Sequence, residues 1–323
     1  MNRLHSFIAI ALLAASGLAQ AVDLPGPLVT PQWLAAHRGE VTVITVLEDA
    51  DTFTAKPTYV NEDGRQVLDE VGGHIPGSLL VDFGKLRADR KIDGRTIKAM
   101  LVDRQAFQTL MQNAGVPAGN PIVVVSEGAT SNDLDVAARL YWSLKYYGAK
   151  QLAILNGGTT GWLEAGNAVS TDPAPTAKGN WVVTGEDKAI LADSNDVAQA
   201  AAKGEQLIDA RPVNFYVGLA KKPVVTKAGH IAGAVVMPPE VRSRQTGGAE
   251  QFLTRSQYQG VLQALGIKPT QPSITYCNTG HLASGAWFVM NEVLGTPSKL
   301  YDGSMHEWTA EDRPVVGLST TTP

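Results

Sequence analysis

The chain has 323 residues and only one cysteine, Cys277, so no internal disulfide can staple it. It also lacks a run of one charge sign. Lys and Arg number 27, Asp and Glu 31, and the formal net charge is -4, with no Lys/Arg-rich tract. The electrostatic footprint of a nucleic-acid binder is therefore missing. On a mildly acidic surface, an anionic substrate needs a local positive site. Beyond the N-terminus, no stretch stays apolar for the ~20 residues that a spanning helix requires, so the mature form is read as having no membrane span. The six histidines, His37 and His306 among them, and the tryptophans show no metal-ligand spacing. The sequence calls for no metal and no cofactor.

The N-terminus has the pattern of a targeting segment. Arg3 supplies a short positive region, Phe7 to Ala15 is apolar, and Ala19-Gln20-Ala21 is a small-x-small cleavage signature. Residues 1–21 are read as a signal peptide cleaved near Ala21, leaving a mature chain that starts near Val22 and is exported, with the periplasm as destination. Exported proteins that keep cysteines usually pair them. A lone Cys277 is thus a free thiol, an intermolecular link or a buried inert residue, and its local context has to decide.

Length alone suggests about two domains of ~150 residues. Landmarks then occur twice in the same order. Gly72-Gly73-His74-Ile75-Pro76-Gly77 is echoed by Ala228-Gly229-His230-Ile231-Ala232-Gly233, and the run Pro121 to Ser126 by Pro272 to Cys277. Helical stretches follow at Leu134 to Tyr147 and at Leu282 to Leu294. Asn156-Gly157-Gly158 with Trp162 then matches Asp302-Gly303-Ser304 with Trp308. This is duplication of a whole domain, not a short solenoid repeat. The polar, Pro-containing stretch Ser170 to Asn180 reads as an extended linker. The expected division is 22–170, a linker at 171–185, and 186–323.

Within each half, short strand-like runs alternate with helical periods. Gln206 to Ile208, Ala234 to Met237 and Ile274 to Tyr276 read as strands, and Ser256 to Leu265 as a helix. This alternation implies an α/β fold, with a parallel sheet flanked by helices in each domain. In such folds the site lies beyond the carboxyl ends of the strands, which is where Cys277 falls.

The segment Tyr276-Cys277-Asn278-Thr279-Gly280-His281-Leu282-Ala283 passes from strand through a tight turn directly into a helix. Backbone N–H groups can converge on the sulfur there, which favours a thiolate and stabilises a negative leaving group. As a cation, His281 could reinforce this or hold an anionic donor; alternatively, it points to solvent. Arg242 and Arg244, in a Gly-flanked polar segment, are candidates for the positive site, or form a solvated loop.

Cysteine, a glycine three residues on and helix entry resemble the active-site loop of the rhodanese-like sulfurtransferases. Leu207-Ile208-Asp209-Ala210-Arg211 is similar to that family's strand ending in D-x-R, Gly229-His230-Ile231-Ala232-Gly233-Ala234 to its G-H-I-x-G-A box, and Asp302-Gly303-Ser304 with Trp308 to its closing element. The resemblance spans both halves. It implies two tandem rhodanese-like domains of the thiosulfate or 3-mercaptopyruvate sulfurtransferase type, with a catalytic C-terminal domain. Cys277 would take sulfur from a small donor such as thiosulfate as a covalent persulfide, then pass it to cyanide or a thiol. The same resemblance gives Asp209 and Arg211 a supporting role around the loop. An oxyanion-binding or sulfur-carrier protein with little turnover is the alternative from another class. Cysteine phosphatases on similar loops use C-x5-R, but the sixth residue after Cys277 is Ala283, which lacks the fork that a phosphate dianion needs.

Two departures stand out. Where known two-domain members carry a substrate arginine after D-x-R, this chain has Phe215, and Asn278-Thr279-Gly280-His281 matches neither of the familiar loop types. In the first half the cysteine position falls on Ser126, within a longer acidic loop, and Val43 to Glu48 lacks D-x-R. That half reads as a non-catalytic wall of the cleft. His74 and His230 recur in both halves, which argues for structure over catalysis. The polar insertion from Thr52 to Val67 carries no readable purpose.

Overall fold

Strands such as Thr42-Val43-Ile44-Thr45-Val46-Leu47 show no polar alternation, so they need cover on both faces, and the chain provides it twice. The computed structural model describes residues 22–318; the expected signal segment 1–21 lies outside the described residues. The first domain contains β1 (Leu28–Val29), α1 (Pro31–His37), β2 (Thr42–Leu47), β3 (Thr58–Glu62), β4 (Arg65–Glu70), β5 (Leu79–Asp82), β6 (Arg87–Ile92), β7 (Arg95–Leu101), α2 (Arg104–Asn113), β8 (Ile122–Val125), α3 (Ser131–Tyr146), β9 (Leu152–Leu155) and α4 (Gly158–Glu164). Its parallel sheet runs β1-β9-β8-β2-β5.

The second domain contains β10 (Leu191–Ala192), α5 (Ser194–Gln199), β11 (Gln206–Asp209), α6 (Val213–Tyr216), β12 (Val235–Val236), β13 (Ser243–Thr246), β14 (Ala249–Phe252), α7 (Arg255–Ala264), β15 (Ser273–Tyr276), α8 (His281–Trp287), β16 (Ser298–Tyr301) and α9 (Ser304–Ala310). Its sheet repeats the same plan, β10-β16-β15-β11-β12, all parallel. The α/β reading with two tandem parallel sheets is thus the observed architecture.

Three details differ from what periodicity suggested. The helix expected over Leu282 to Leu294 is α8 followed by a π-helical turn, Phe288–Val293, and the N–H of Leu294 reaches back to the Val289 carbonyl at 3.0 Å. A hydrophobic period cannot tell 3.6 residues per turn from a wider turn over so short a span. The insertion around Thr52 to Val67 contains most of an antiparallel hairpin, β3–β4, turned at Asp63-Gly64 with φ of 49° and 81°. The linker is strapped down along the first domain. Trp181 and Val183 are buried, and the Trp181 N–H donates to the Val116 carbonyl at 3.0 Å.

The domains meet where α3 lies against α8. Every residue of α3 from Leu134 to Tyr146 except Lys145 is buried, because one side of the helix covers its own sheet and the other covers α8. Each domain also lends a hairpin to the other. The Leu101 N–H at the end of β7 donates to Asp302 Oδ2 at 2.8 Å, and the Phe252 N–H at the end of β14 donates to Asn156 Oδ1 at 2.8 Å. Asn156 and Asp302 are the repeat-equivalent positions found in the sequence, so the two clasps are related by the duplication.

Close approach at this interface requires Gly285. A Cβ there would fall inside the Asp135 carboxylate of α3, with Arg242 Nη1 2.8 Å away. Gly285→Ala is expected to cost at least the ~1–3 kcal/mol typical of overpacking, read as a lower midpoint in urea unfolding; an unchanged midpoint would contradict this packing.

Candidate active site between the two domains

β15 is the middle strand of its sheet, and Cys277 is the first residue beyond its carboxyl end. The loop is pinned from below by Ser304. Its Oγ accepts the N–H groups of Cys277 and Gly280, each at 3.1 Å, and donates to the Tyr301 carbonyl at 2.7 Å. The N–H groups of Met305 and His306 then cap the carbonyls of Cys277 and Asn278 at 3.1 and 3.0 Å. Gly280, at φ 75°, makes the turn, and a Cβ there would sit 2.6 Å from Asp302 Oδ1. The Gly280 N–H is thus spent on Ser304 and does not join a nest around the sulfur. The N–H groups of Asn278, Thr279 and His281 meet no protein acceptor among the described residues.

Two buried arginines hold the outer rim of the loop. Arg139, from α3, donates to the Gly280 carbonyl at 3.1 Å and lies 2.6 Å from Asp302 Oδ1, an ion pair out of line for a hydrogen bond. Arg242 donates to the Leu282 carbonyl and pairs with Asp135 of α3 at 2.8 Å. Burial pushes the Asp135 carboxyl up to about 7, against the pull of Arg242. Arg242 is therefore a brace, not a surface anion site. Arg244 lies exposed on β13, opposite Gln251. Neither residue lines the cleft, which corrects their assignment as the positive site.

Asp209 and Arg211 form a buried bidentate pair, with Arg211 Nη2 2.6 Å from Asp209 Oδ2. Arg211 also donates to the Gly229 carbonyl at 2.8 Å. Their support goes to the G-H-I box and does not touch the cysteine loop directly. In that box, His230 Nδ1 lies 2.7 Å from the Tyr216 carbonyl and its ring stacks on Tyr216; His74 repeats the arrangement with Phe53. Both histidines are structural.

Cys277, 2% exposed, lies in a cleft of about 470 Å³. Asn278, Thr279, His281 and Leu282 form the loop side, and Pro212, Phe215, Lys222 and Val224 form an opposing wall. The first domain contributes Asn132 and Arg87. Sequence reasoning missed Arg87, which opens β6 directly after the 3-10 turn Phe83–Leu86. Its guanidinium stacks over the Phe83 ring at 4.4 Å. Burial and Arg139 hold it below its usual range, with Cys277, Glu48 and Asp302 pulling it back. The one sequence signal was the hairpin turn Asp93-Gly94, which marks β6–β7 as a two-stranded arm.

His281 cannot be the cation considered from sequence. Burial, then Arg87, Arg139 and Arg242, hold it well below the usual histidine range, and its Nε2 is buried without a partner among the described residues. The ring packs against Phe83 at 4.7 Å. In the first domain, Ser126 follows β8 as Cys277 follows β15, with the Thr159 and Thr160 N–H groups capping the Ser126 and Glu127 carbonyls. The Ser126 hydroxyl is buried and has no partner among the described residues.

The unfolded chain protonates a histidine near 6.5 while folded His281 stays neutral, so His281 contributes a loss of stability as the pH falls below about 6.5. Its share has a limiting slope of about 1.4 kcal/mol per pH unit. His281→Gln is expected to flatten the decline in melting temperature between pH 7 and pH 5. An unaltered slope would show that His281 titrates normally.

A family model for the rhodanese-like domain matches residues 30–165 and 193–311. The sulfur carrier protein TtuD of Thermus thermophilus is 29% identical, over 88% of this chain and 94% of its own. A Mycobacterium bovis protein named "Putative thiosulfate sulfurtransferase 1" is 30% identical, over 87% of this chain and 94% of its own. Among solved structures, the fold matches SseA of Escherichia coli, described as a 3-mercaptopyruvate sulfotransferase, at TM-score 0.65 and 23% identity, covering 86% of this chain and 98% of that one. An anaerobic ergothioneine biosynthesis enzyme of Chlorobium limicola matches at TM-score 0.70 and 20% identity, covering 91% of this chain and 71% of that one. With both halves matched, in order and around one shared cleft, the chain belongs to the rhodanese-like sulfurtransferase family as a tandem two-domain member.

Proposed function

We propose that this protein is an exported sulfurtransferase in which Cys277 carries the sulfur in transit. The observation that carries this reading is the placement of the only thiol. It sits at the carboxyl end of the central strand, in an interdomain cleft, beside loop N–H groups that have no acceptor among the described residues. The Cys277 thiolate attacks the outer sulfur of thiosulfate, the S–S bond breaks, and sulfite departs with the bonding pair. The persulfide that remains is anionic, and the N–H groups of Asn278, Thr279 and His281 are positioned as its donors. Cyanide, or a thiolate in its place, then attacks the terminal sulfur. Thiocyanate leaves and the Cys277 thiolate is restored. Residues 1–21 are removed on export, so the secreted form begins at or next to Val22.

Donor choice separates this reading from its neighbours. The SseA likeness supports testing 3-mercaptopyruvate beside thiosulfate, and the TtuD likeness supports a carrier that hands its sulfur to a protein partner. The purified chain is expected to form thiocyanate from thiosulfate and cyanide, and Cys277→Ser to abolish it, read by the coloured iron–thiocyanate complex. Turnover surviving in the serine variant would sink the mechanism. A single added sulfur on Cys277 by mass spectrometry, with no turnover on small acceptors, would favour the carrier.

Export carries its own expected outcome. N-terminal sequencing of protein recovered from the periplasm should begin within a residue or two of Val22, and an intact Met1 would refute cleavage.

A further inference from the structure

We infer that Arg87, carried in from the first domain, is the anion receptor of this site and fixes its specificity for donors with a negative head and an apolar body. The inference rests on the sulfur-transfer reading above and names the residue that selects the donor. A small sulfane donor is anionic, yet the second domain offers little buried positive charge to the cleft. Phe215 stands where an arginine would be expected, Arg211 is consumed by Asp209, and Arg242 by Asp135. Lys222 lines the cleft but is exposed, so its charge is screened by water and salt.

Arg87 differs from these. It lines the same cleft as Cys277, forms no salt bridge among the described residues, and its buried Nε lacks a partner. A guanidinium held over the Phe83 ring is restrained in position, and its N–H groups have no protein acceptor among the described residues, so they are free for an incoming oxyanion. The duplication adds an internal comparison. In β6–β7, Arg87 is paired with Leu101, whose N–H clasps Asp302; in β13–β14, Ser243 is paired with Phe252, whose N–H clasps Asn156. The residue equivalent to Arg87 is thus Ser243, and it belongs to the hairpin that reaches the domain whose cysteine position is Ser126. Thiol and cation occur together at one end and are both serine at the other. The opposing wall of Pro212, Phe215 and Val224 is apolar, which suits a carbon body behind the anionic head.

The test reads charge at Cys277 without requiring turnover. Iodoacetate and iodoacetamide both alkylate a cysteine thiolate with loss of iodide, and they differ in charge. In the wild-type protein the ratio of iodoacetate to iodoacetamide rates should be high. Arg87→Gln should lower it roughly tenfold, the size of one charge-assisted hydrogen bond, and the ratio cancels any change in thiolate population that both reagents share. Arg87→Lys should retain most of the ratio, and Lys222→Gln should change it less than Arg87→Gln. In turnover, Arg87→Gln should raise the KM for benzenethiosulfonate and for thiosulfate with a smaller effect on kcat, and the wild type should prefer the aromatic donor. An unchanged alkylation ratio in Arg87→Gln overturns the inference even if sulfur transfer is observed. A lowered ratio with no turnover and no added sulfur on Cys277 from any donor leaves the anion receptor standing and removes the sulfur-transfer reading. Equal preference for the two donors refutes the part assigned to the apolar wall.

Discussion

Two guanidiniums hold the loop that carries Cys277, and each is neutralised by a carboxylate from the opposite domain. Arg139 of the first domain grips the Gly280 carbonyl and faces Asp302 of the second; Arg242 of the second grips the Leu282 carbonyl and faces Asp135 of the first. Taking such charges out of water is expensive, and removing one partner from a buried pair typically costs about 3–5 kcal/mol. The loop and the domain interface are therefore one unit. If the domains separated, the Gly280 carbonyl would lose Arg139, and Arg242 at the Leu282 carbonyl would lose the Asp135 carboxylate that faces it. This coupling explains why a first domain without a thiol is kept: its α3 supplies half of the frame around the other domain's cysteine.

The crossed bridges also set how close the helices come. Gly285 lets the α8 backbone lie on the Asp135 carboxylate, and the Ser284 hydroxyl bonds both the Asp135 carbonyl and the His281 carbonyl within its own helix. Asp135 thus touches α8 through its main chain and reaches Arg242 through its side chain. A carboxylate shut in so tightly is costly to ionise, which is why burial outweighs the arginine beside it. His281 is governed by the same enclosure with the sign reversed. Burial and the charges of Arg87, Arg139 and Arg242 disfavour its protonation, so the ring stays neutral and serves as cleft wall beside Phe83.

Much of this was legible in the sequence, for identifiable reasons. The parallel sheets were readable because short strand-like runs alternate with helical periods, and the duplication because the G-H-I box, the strand into Ser126 or Cys277 and the closing Asn/Asp-Gly element recur in register. Cys277 stood out because it is alone. What the sequence hid was every contribution that crosses between domains. Arg87, Asp135 and Arg139 lie far upstream, on elements whose local pattern says only hairpin or helix, and nothing in a one-dimensional pattern points them at Cys277. Arg242 misled for the same reason. Its polar, Gly-flanked setting looked like surface, but Tyr258 and Asp135 close over it.

That division bears on how a single thiol would persist in the oxidising compartment that the proposed export implies. A disulfide forms when a thiolate reaches another sulfur, so access governs the rate as much as reactivity does. Cys277 is 2% exposed, in a cleft walled by both domains, and its loop is fixed by Ser304 below and two arginines at the rim. A donor of a few atoms fits a cleft of about 470 Å³, and a thiol on a larger molecule has to reach Cys277 past residues of both domains. The recess is a property of the pair of domains and not of the cysteine domain alone. The structural logic that keeps the domain without a thiol is then twofold: it frames the loop from behind and contributes Arg87 and Asn132 to the cleft in front.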